Sequence, residues 1–207
     1  MATCNEITAK IRKNISSVSS DGTCHLWHFK ADMRPYKYTQ HKGKVNCVSY
    51  SPDGKFVASG GDDGKIFVWK AAAEGNKFNF NFRAHGGPVK SVVFSQDGNF
   101  LVSGGDDKVV KLWRVLAKGK VKFLRSFLGH KNWVLKADIS PDSRLIASIC
   151  DKHIKVWDAS TGKEFIDFRN VQTGNRSLAF HPDGNYVAIG GSSGLLQMLD
   201  LRANKLS

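Results

Sequence analysis

One unit recurs five times along this chain and closes each time on a tryptophan or on a leucine in its place. The closing residues are Trp27, Trp69, Trp113, Trp157 and Leu199, so successive units lie 42, 44, 44 and 42 residues apart. Each unit contains short runs of β-formers separated by turn residues, with no helical period. A period in the low forties that opens with His and closes on an aromatic residue predicts an all-β chain built from β-propeller blades.

The second unit shows most clearly how one blade is built. Residues 45–50 and 56–59 are short runs of β-formers, and Pro52-Asp53-Gly54 supplies a tight turn between them. A Gly-Asp turn reverses the chain into residues 65–69, and a fourth strand is expected near residues 77–82. We therefore predict one domain over 1–207, made of about five four-stranded blades. The predicted repeats are 1–39, 40–83, 84–127, 128–168 and 169–207.

Composition and charge indicate the cellular compartment and the class of partner to expect. The chain is 41% hydrophobic, which is enough for a packed core, and it contains no apolar run long enough to cross a membrane. Its first residues lack the pattern of a signal peptide, and its 4 cysteines form no CxxC pair, so a reduced cytoplasmic environment is expected. The net charge of +13 favours acidic partners, although a solvated basic surface without such a partner is the plain alternative.

The residues that recur within each unit resemble those of the WD40 repeat family. In that family a buried polar chain joins a Trp, a Ser or Thr, an entrance His and a turn Asp. A buried indole N–H needs an acceptor, and a hydroxyl can accept from it and donate to imidazole. The resemblance implies three such tetrads, one in each of units two, three and four: His41, Ser59, Asp63 and Trp69; His85, Ser103, Asp107 and Trp113; His130, Ser148, Asp151 and Trp157.

Three units depart from this pattern. In unit four, Ser148 lies one residue closer to its Trp than in units two and three, so we expect a distorted network there. Unit one keeps Trp27, Ser17 and Asp21 but has no entrance His. Unit five has Leu199 in place of Trp and Ser193 in place of Asp, without an entrance His, so we expect apolar packing alone to hold it.

The number of units is small for a closed ring of this kind. WD40 propellers most often have seven blades, so the resemblance implies an incomplete, open ring of a seven-bladed type. By its spacing from Trp27, the first strand should begin at Thr3, and residues 201–207 leave room only for the start of a last strand. Three interpretations stay open: a fragment or truncated gene product, an arc completed by a second chain, and a degenerate five-bladed ring. Open sheet edges would favour self-association.

Particular stretches resemble one branch of the family, the proteome-of-centriole WD-repeat proteins, which build and stabilise centrioles and basal bodies. The resemblance implies a scaffold at the cytoskeleton of centrioles or basal bodies that docks on tubulin or on centriolar components with acidic surfaces. A generic WD40 adaptor of another intracellular complex, including an RNA-associated one, is the alternative. The stretches are 27–30 (WHFK), 34–42 (RPYKYTQHK), 82–85 (FRAH), 89–92 (VKSV), 130–134 (HKNWV) and 140–146 (SPDSRLI).

No pattern in the chain predicts catalysis, a cofactor or a metal. On a strand, Cys24 and His28 share one face while His25 points to the other, so the three cannot converge on a metal. The Gly190-Gly191 stretch lacks the Lys and the helix of a phosphate site and fits a hairpin turn. We therefore expect no enzymatic activity.

Partner binding is expected on the face where the entrance loops and the turns between second and third strands emerge. Trp133 is the strongest single candidate, because an exposed Trp beside basic residues is a common hot spot, although partial burial against a neighbouring blade is equally compatible with the sequence. The partners expected are proteins, with no membrane and no nucleic acid. The candidates are Lys42, Lys44, Asp62, Pro88, Asp106, Lys131, Asn132 and Trp133.

Overall fold

Five antiparallel sheets of four strands follow one another along the chain in the computed structural model, which describes residues 4–10, 14–28, 34–71, 78–169 and 174–206. Each sheet is formed by four consecutive strands, and we call the sheets blades one to five in chain order. The predicted all-β propeller architecture is therefore confirmed. In the described part of the chain, no helix is long and apolar enough to span a membrane.

The strand bounds are as follows. Blade one contains β1 (Cys4–Lys10), β2 (Asn14–Ser19), β3 (Cys24–His28) and β4 (Tyr36–Tyr38). Blade two contains β5 (Val45–Tyr50), β6 (Phe56–Gly61), β7 (Lys65–Lys70) and β8 (Phe78–Arg83). Blade three contains β9 (Val89–Phe94), β10 (Phe100–Gly105), β11 (Val110–Val115), the 3-10 turn η1 (Ala117–Gly119) and β12 (Val121–Phe127). Blade four contains β13 (Lys136–Ile139), β14 (Leu145–Ile149), β15 (His153–Asp158) and β16 (Glu164–Arg169). Blade five contains β17 (Asn175–Phe180), β18 (Tyr186–Gly191), β19 (Leu196–Asp200) and β20 (Lys205–Leu206).

The sequence located the four strands of blade two to within one or two residues. In blade two, the second strand runs to Gly61 instead of Ser59, and the third runs to Lys70 instead of Trp69. Both extensions follow from the hydrogen-bonded ladder, which continues past the β-forming residues into the turn. The fourth strand covers Phe78–Arg83, while Lys77 and the predicted start at Thr3 lie outside the described residues.

The turn between the first and second strands is closed by the same Ser–Asp hydrogen bond in blades two, three and four. In blade two the Ser51 hydroxyl donates to Oδ1 of Asp53 over 2.6 Å and accepts from the backbone N–H of Phe56 over 2.9 Å. The Asp53 carboxylate also accepts from the N–H of Lys55, so one Ser and one Asp close the turn. Gly54 follows with a φ of 71°, a left-handed conformation that glycine adopts without strain. Blades three and four repeat the same Ser–Asp contact at Ser95 and Ser140.

The blades stack side by side through their faces. The first strands of neighbouring blades contact one another, in the order β1, β5, β9, β13 and β17, so they line the inner side of the arc. At every junction the face that carries the closing Trp or Leu199 packs on the opposite face of the preceding blade. Trp69 packs on blade one, Trp113 on blade two, Trp157 on blade three and Leu199 on blade four.

Two glycines allow the central blades to approach closely. A methyl group on Gly60 would lie 2.6 Å from Cγ1 of Val89, and one on Gly104 would lie 2.5 Å from Cγ1 of Val134. Each glycine thus leaves the space that a valine of the next blade occupies. Among the described residues, no comparable packing joins blade five to blade one, and the five blades form an open arc.

Candidate protein-interaction face

Blade two contains the complete polar chain that its sequence predicted. The Trp69 indole N–H donates to the Ser59 hydroxyl over 2.8 Å, and Oγ of Ser59 lies 2.9 Å from Nε2 of His41. The other ring nitrogen of His41 lies 3.1 Å from Oδ2 of Asp63. That carboxylate also accepts from the backbone N–H of Lys42, so the chain ties the third strand to the entrance loop.

Blade three repeats this chain with shorter contacts to the carboxylate. Ser103 joins Trp113 to His85, and Nδ1 of His85 lies 2.8 Å from Oδ1 of Asp107. Burial opposes ionisation of Asp107, but hydrogen bonds from His85 and the N–H of Gly86 outweigh it and lower the pKa of the carboxyl to about 2. The entrance loop of this blade is therefore held by a charged group at neutral pH.

Blade four has three members of the chain, and the predicted role of Asp151 is wrong. The Ser148 hydroxyl still joins Trp157 and His130, at 2.8 and 2.7 Å, so the one-residue shift distorts neither contact. The carboxylate of Asp151 accepts instead from the N–H of Gly174 in the next entrance loop. Ser148 and Asp151 are three residues apart, against four for the equivalent pairs of blades two and three, so the turn is one residue shorter and Asp151 does not meet the imidazole.

The loss of this contact leaves one ring nitrogen of His130 unsatisfied. Its Nδ1 is buried and has no hydrogen-bond partner. Burial, and then the nearby charge of Lys155, lower the pKa of His130 to about 4. His130 is therefore neutral at physiological pH.

Lys155 is a buried charge that the sequence analysis did not single out. Its ammonium lies 2.5 Å from Oε2 of Glu164 and 3.1 Å from Oδ2 of Asp167, and 5.5 Å from the centre of the Trp157 ring. These contacts compensate a charge that is otherwise costly to bury. The alternation of β15 could have indicated it, because Lys155 lies two residues before Trp157 and so shares its buried face.

Blades one and five lack members of the buried polar chain. In blade one the Trp27 indole donates to Ser17 over 2.9 Å, while Asp21 accepts from the backbone and hydroxyl of Thr23. Blade five buries Leu199 among apolar residues of blade four, as expected. Apolar packing does not act alone there, because the N–H of Phe180 also donates to Oδ2 of Asp138 over 3.0 Å. The expectation for blade five was therefore incomplete.

The entrance loops and the turns between second and third strands form one rim, which we call the upper rim. The loops interlock there: the N–H of Asp62 donates to the carbonyl of Lys44, and that of Asp106 donates to the carbonyl of Pro88. The next blade joins in the same way, because the N–H of Val134 donates to the carbonyl of Gly105. All eight predicted binding residues lie on this rim, in the segments 42–44, 62, 88, 106 and 131–133.

The two acidic candidates on the rim already have partners within the protein. Asp62 accepts from the side-chain amide of Asn46 over 2.9 Å, and the carboxylate of Asp106 lies 3.6 Å from the Lys90 ammonium. Burial raises the pKa of Asp106, and Lys90 opposes that rise. Asn46 and Lys90 escaped the sequence analysis because they lie inside strands, where only the register shows which neighbours they reach.

The basic and aromatic candidates face solvent. Lys42, Lys44 and Lys131 are exposed, and Pro88 is half-buried. Trp133 is 53% exposed, so its side chain does not pack fully against a neighbouring blade. Asn132 fixes its backbone by accepting the Trp133 N–H over 2.9 Å, and Leu128, before the entrance His of the same blade, adds a second exposed apolar side chain.

The buried polar chain has no catalytic geometry. Ser59, Ser103 and Ser148 are fully buried, and each accepts an indole N–H, so their hydroxyls cannot reach a substrate. The contacts instead hold the loops of the upper rim on a rigid sheet.

Comparison with known proteins supports the same fold. A family model described as "WD domain, G-beta repeat" matches residues 34–70, 76–114, 121–158 and 170–200. The chain is 39% identical over 197 residues to MST50-interacting protein 11 of Pyricularia oryzae. This match covers 91% of this chain and 61% of that protein. It is 30% identical over 199 residues to protein hir1 of Schizosaccharomyces pombe, covering 84% of this chain and 17% of the relative.

A shorter match joins it to ribosome biogenesis protein ERB1 of Yarrowia lipolytica, at 34% identity over 31% of this chain and 8% of that protein. The chain thus spans only part of each of these relatives, and none of their names refers to centrioles. The family model covers most of the sequence, and its four matched segments contain the first three strands of blades two to five to within one residue. This protein therefore belongs to the WD40 repeat family.

Proposed function

We propose that this protein is a non-catalytic protein-interaction scaffold that binds its partner through the upper rim. The observation that carries the proposal is the exposure of Trp133 at a position whose backbone is fixed by Asn132 and by the adjoining blade. A rigidly held, half-exposed Trp offers a large apolar contact at a small entropic cost. WD40 domains generally serve as such platforms, which is consistent with the buried polar chains beneath the rim.

The charges of the rim favour an acidic partner. Asp62 and Asp106 are paired with Asn46 and Lys90 of the same chain, whereas Lys42, Lys44 and Lys131, on the same rim as Trp133, are exposed to solvent. The net charge of +13 adds long-range attraction for an acidic protein. A partner segment with an apolar side chain for Trp133 and flanking carboxylates for the lysines fits this surface.

Affinity capture with matched variants tests the proposal. We expect proteins captured from a cell extract by the wild type to be lost with Trp133→Ala and retained with Phe165→Ala, because Phe165 is equally exposed but lies on the outer strand β16. A partner retained equally by all three proteins would place the binding site elsewhere and would contradict the role of the rim.

The finer proposal is that the partner belongs to centrioles or basal bodies. It is supported by the stretches that resemble the centriolar WD-repeat proteins and by the basic rim, which suits the acidic tails of tubulin. The test is co-sedimentation with microtubules before and after proteolytic removal of those tails. Binding that disappears with the tails and with Trp133→Ala supports it; absence of co-sedimentation, together with no enrichment of the tagged protein at centrioles, would overturn it.

The relatives favour a second candidate setting, ribosome biogenesis. Ribosome biogenesis protein ERB1 is named for that process, and it shares 34% identity over 70 residues with this chain. The same tagged protein distinguishes the two settings, since nucleolar enrichment supports the second one. If the protein contacts RNA directly, its affinity for RNA should fall steeply as the salt concentration rises.

A further inference from the structure

A groove opens between blades two and three, at the end of the sheets opposite the upper rim, and we call it the inter-blade groove. Its cavity volume is about 1040 Å³, which is in the size range of ligand-binding clefts. At its inner end the two blades touch, since a methyl group on Gly98 would lie 3.4 Å from Cγ and Cδ of Pro52. The 3-10 turn η1 of blade three contacts β7 and β8 and bounds the groove on blade two. Both blades have a neighbouring blade on each side, so the groove is an internal feature of the arc.

The corresponding groove between blades three and four is narrower because a side chain crosses it. The Arg125 guanidinium of blade three donates to the carbonyls of Ser160 and Thr161 in blade four, and a cavity of about 310 Å³ is left beside it. In blade two, Phe80 occupies the ladder position of Arg125. A phenyl ring cannot donate these hydrogen bonds, so the same closure does not form between blades two and three.

The walls of the inter-blade groove combine apolar side chains with an exposed lysine. Leu116 is 43% exposed, and Phe56 and Val115 line the groove as half-buried residues. Lys70 is exposed at the end of β7 and forms no ion pair within the described part of the chain. The groove therefore offers an apolar contact next to a cation that is available to a partner.

The two carboxylates of the groove are already hydrogen-bonded within their own turns. Asp53 accepts from the Ser51 hydroxyl, and Asp97 accepts from both the backbone N–H and the side-chain amide of Asn99. The ion pair of Asp53 with Lys55, at 3.3 Å, is exposed to solvent and is therefore weak enough for a partner to displace. Lysines outnumber carboxylates in the lining, and they are Lys55, Lys70 and Lys118.

We propose that the inter-blade groove is a second protein-binding surface, which takes an acidic peptide segment carrying a leucine- or phenylalanine-sized side chain. That side chain lies against Leu116 and Phe56, and the carboxylates of the segment pair with Lys70 and the neighbouring lysines. Charge complementarity selects this occupant, because the lysines of the groove and the net charge of +13 both attract carboxylates. The groove and the upper rim lie at opposite ends of the sheets, so one molecule has room for two partners at once.

Peptide selection on the purified full chain tests the proposal. The probe is a library of random peptides displayed on phage, and we expect the enriched peptides to combine Asp or Glu with Leu or Phe. A fluorescent copy of one enriched peptide then gives its affinity by polarisation. Lys70→Glu places a like charge opposite the carboxylates, and Leu116→Asp places one in the apolar wall, so each should weaken binding about tenfold.

Two control variants separate the groove from the rest of the surface. Lys122→Glu makes the same change of charge at an exposed position of β12 outside the groove and should leave the affinity nearly unchanged. Trp133→Ala alters the upper rim and should also leave it unchanged, so the two binding surfaces succeed or fail separately. Circular dichroism and thermal melting confirm that all four variants fold.

Three results would overturn the proposal. The first is that no peptide is enriched, and the second is that the enriched peptides have no excess of acidic residues. The third is a peptide whose affinity falls with Trp133→Ala and is unchanged by Lys70→Glu and Leu116→Asp, which would place its binding on the upper rim.

Discussion

Blade three and blade five are built from the same hairpins, yet the surrounding structure holds them differently. Blade three contains the complete chain of Trp113, Ser103, His85 and Asp107, and neighbouring blades cover both of its faces. Blade five has Leu199 in place of the Trp, and one of its faces is exposed. Both sheets nevertheless have four strands in the same order.

The difference shows that the interactions that form a sheet are distinct from those that hold the loops of the upper rim. The buried polar chain is not required to form the sheet, since blade five forms with its turns, its β-forming runs and its apolar packing on blade four. The polar chain and the second covered face determine how firmly the loops of the upper rim are held. Blade four lies between the two cases, because its chain stops at His130.

The largest effect is expected for the closing tryptophans. Trp69→Ala removes a fully buried ring from the junction of blades one and two and should lower the free energy of unfolding by about 4 kcal/mol. Trp27→Ala removes a ring that is half exposed and should cost about 1 kcal/mol. Urea denaturation of both variants measures the contrast. Equal losses would mean that the Trp27 face is covered in solution.

Substitutions of the second-strand glycines should also differ in their cost to stability, according to whether a neighbouring blade covers the glycine. Gly104→Val would force a side chain against Val134, and overpacking of this kind should cost about 3 kcal/mol. Gly190→Val adds the same side chain on the open face of blade five and should change stability by less than about 0.5 kcal/mol. Thermal melting of dilute protein compares them, and a large loss for Gly190→Val would contradict the uncovered face.

Removal of the serine hydroxyl from the buried polar chain should have a smaller effect on the free energy of unfolding. Ser103→Ala leaves the buried N–H of Trp113 and Nε2 of His85 without their partner, which should cost about 2 kcal/mol. Ser177→Ala, on the exposed side of blade five, should change the free energy of unfolding by less than about 0.5 kcal/mol. Chemical denaturation separates the two. If the two variants were equally stable, the buried chain would have no structural role.

The smallest effect is expected for the pH dependence of blade four. Burial and Lys155 lower the pKa of His130 from 6.5 to about 4, so the unfolded chain binds more protons than the folded one between these values. The contribution of His130 to stability is fully present well above pH 6.5 and falls as the pH decreases towards 4, by about 0.7 kcal/mol between pH 7 and pH 6. The difference between wild type and His130→Gln isolates this contribution. Parallel pH profiles for the two proteins would contradict it.

Much of the site was predictable from the sequence, and the exceptions have a common cause. The resemblance to the WD40 repeat identified the polar chains of blades two and three, because every member keeps the spacing from its Trp that the family shows. The same spacing failed for Asp151, since the direction of a turn side chain depends on the path of a loop. Lys155 and the partners of Asp62 and Asp106 were missed, because each contact joins a strand residue to a residue of another strand or of a turn.

The sequence by itself determined the sheet: its period, its turn chemistry and its alternation specify where each strand begins and which residues face inward. Those properties depend on backbone geometry and on neighbours a few residues away. Only the tertiary structure decided which faces are covered, that Trp27 and Leu196 stay exposed, and that His130 loses its carboxylate. Burial and pairing depend on contacts between blades more than forty residues apart, which no local pattern records.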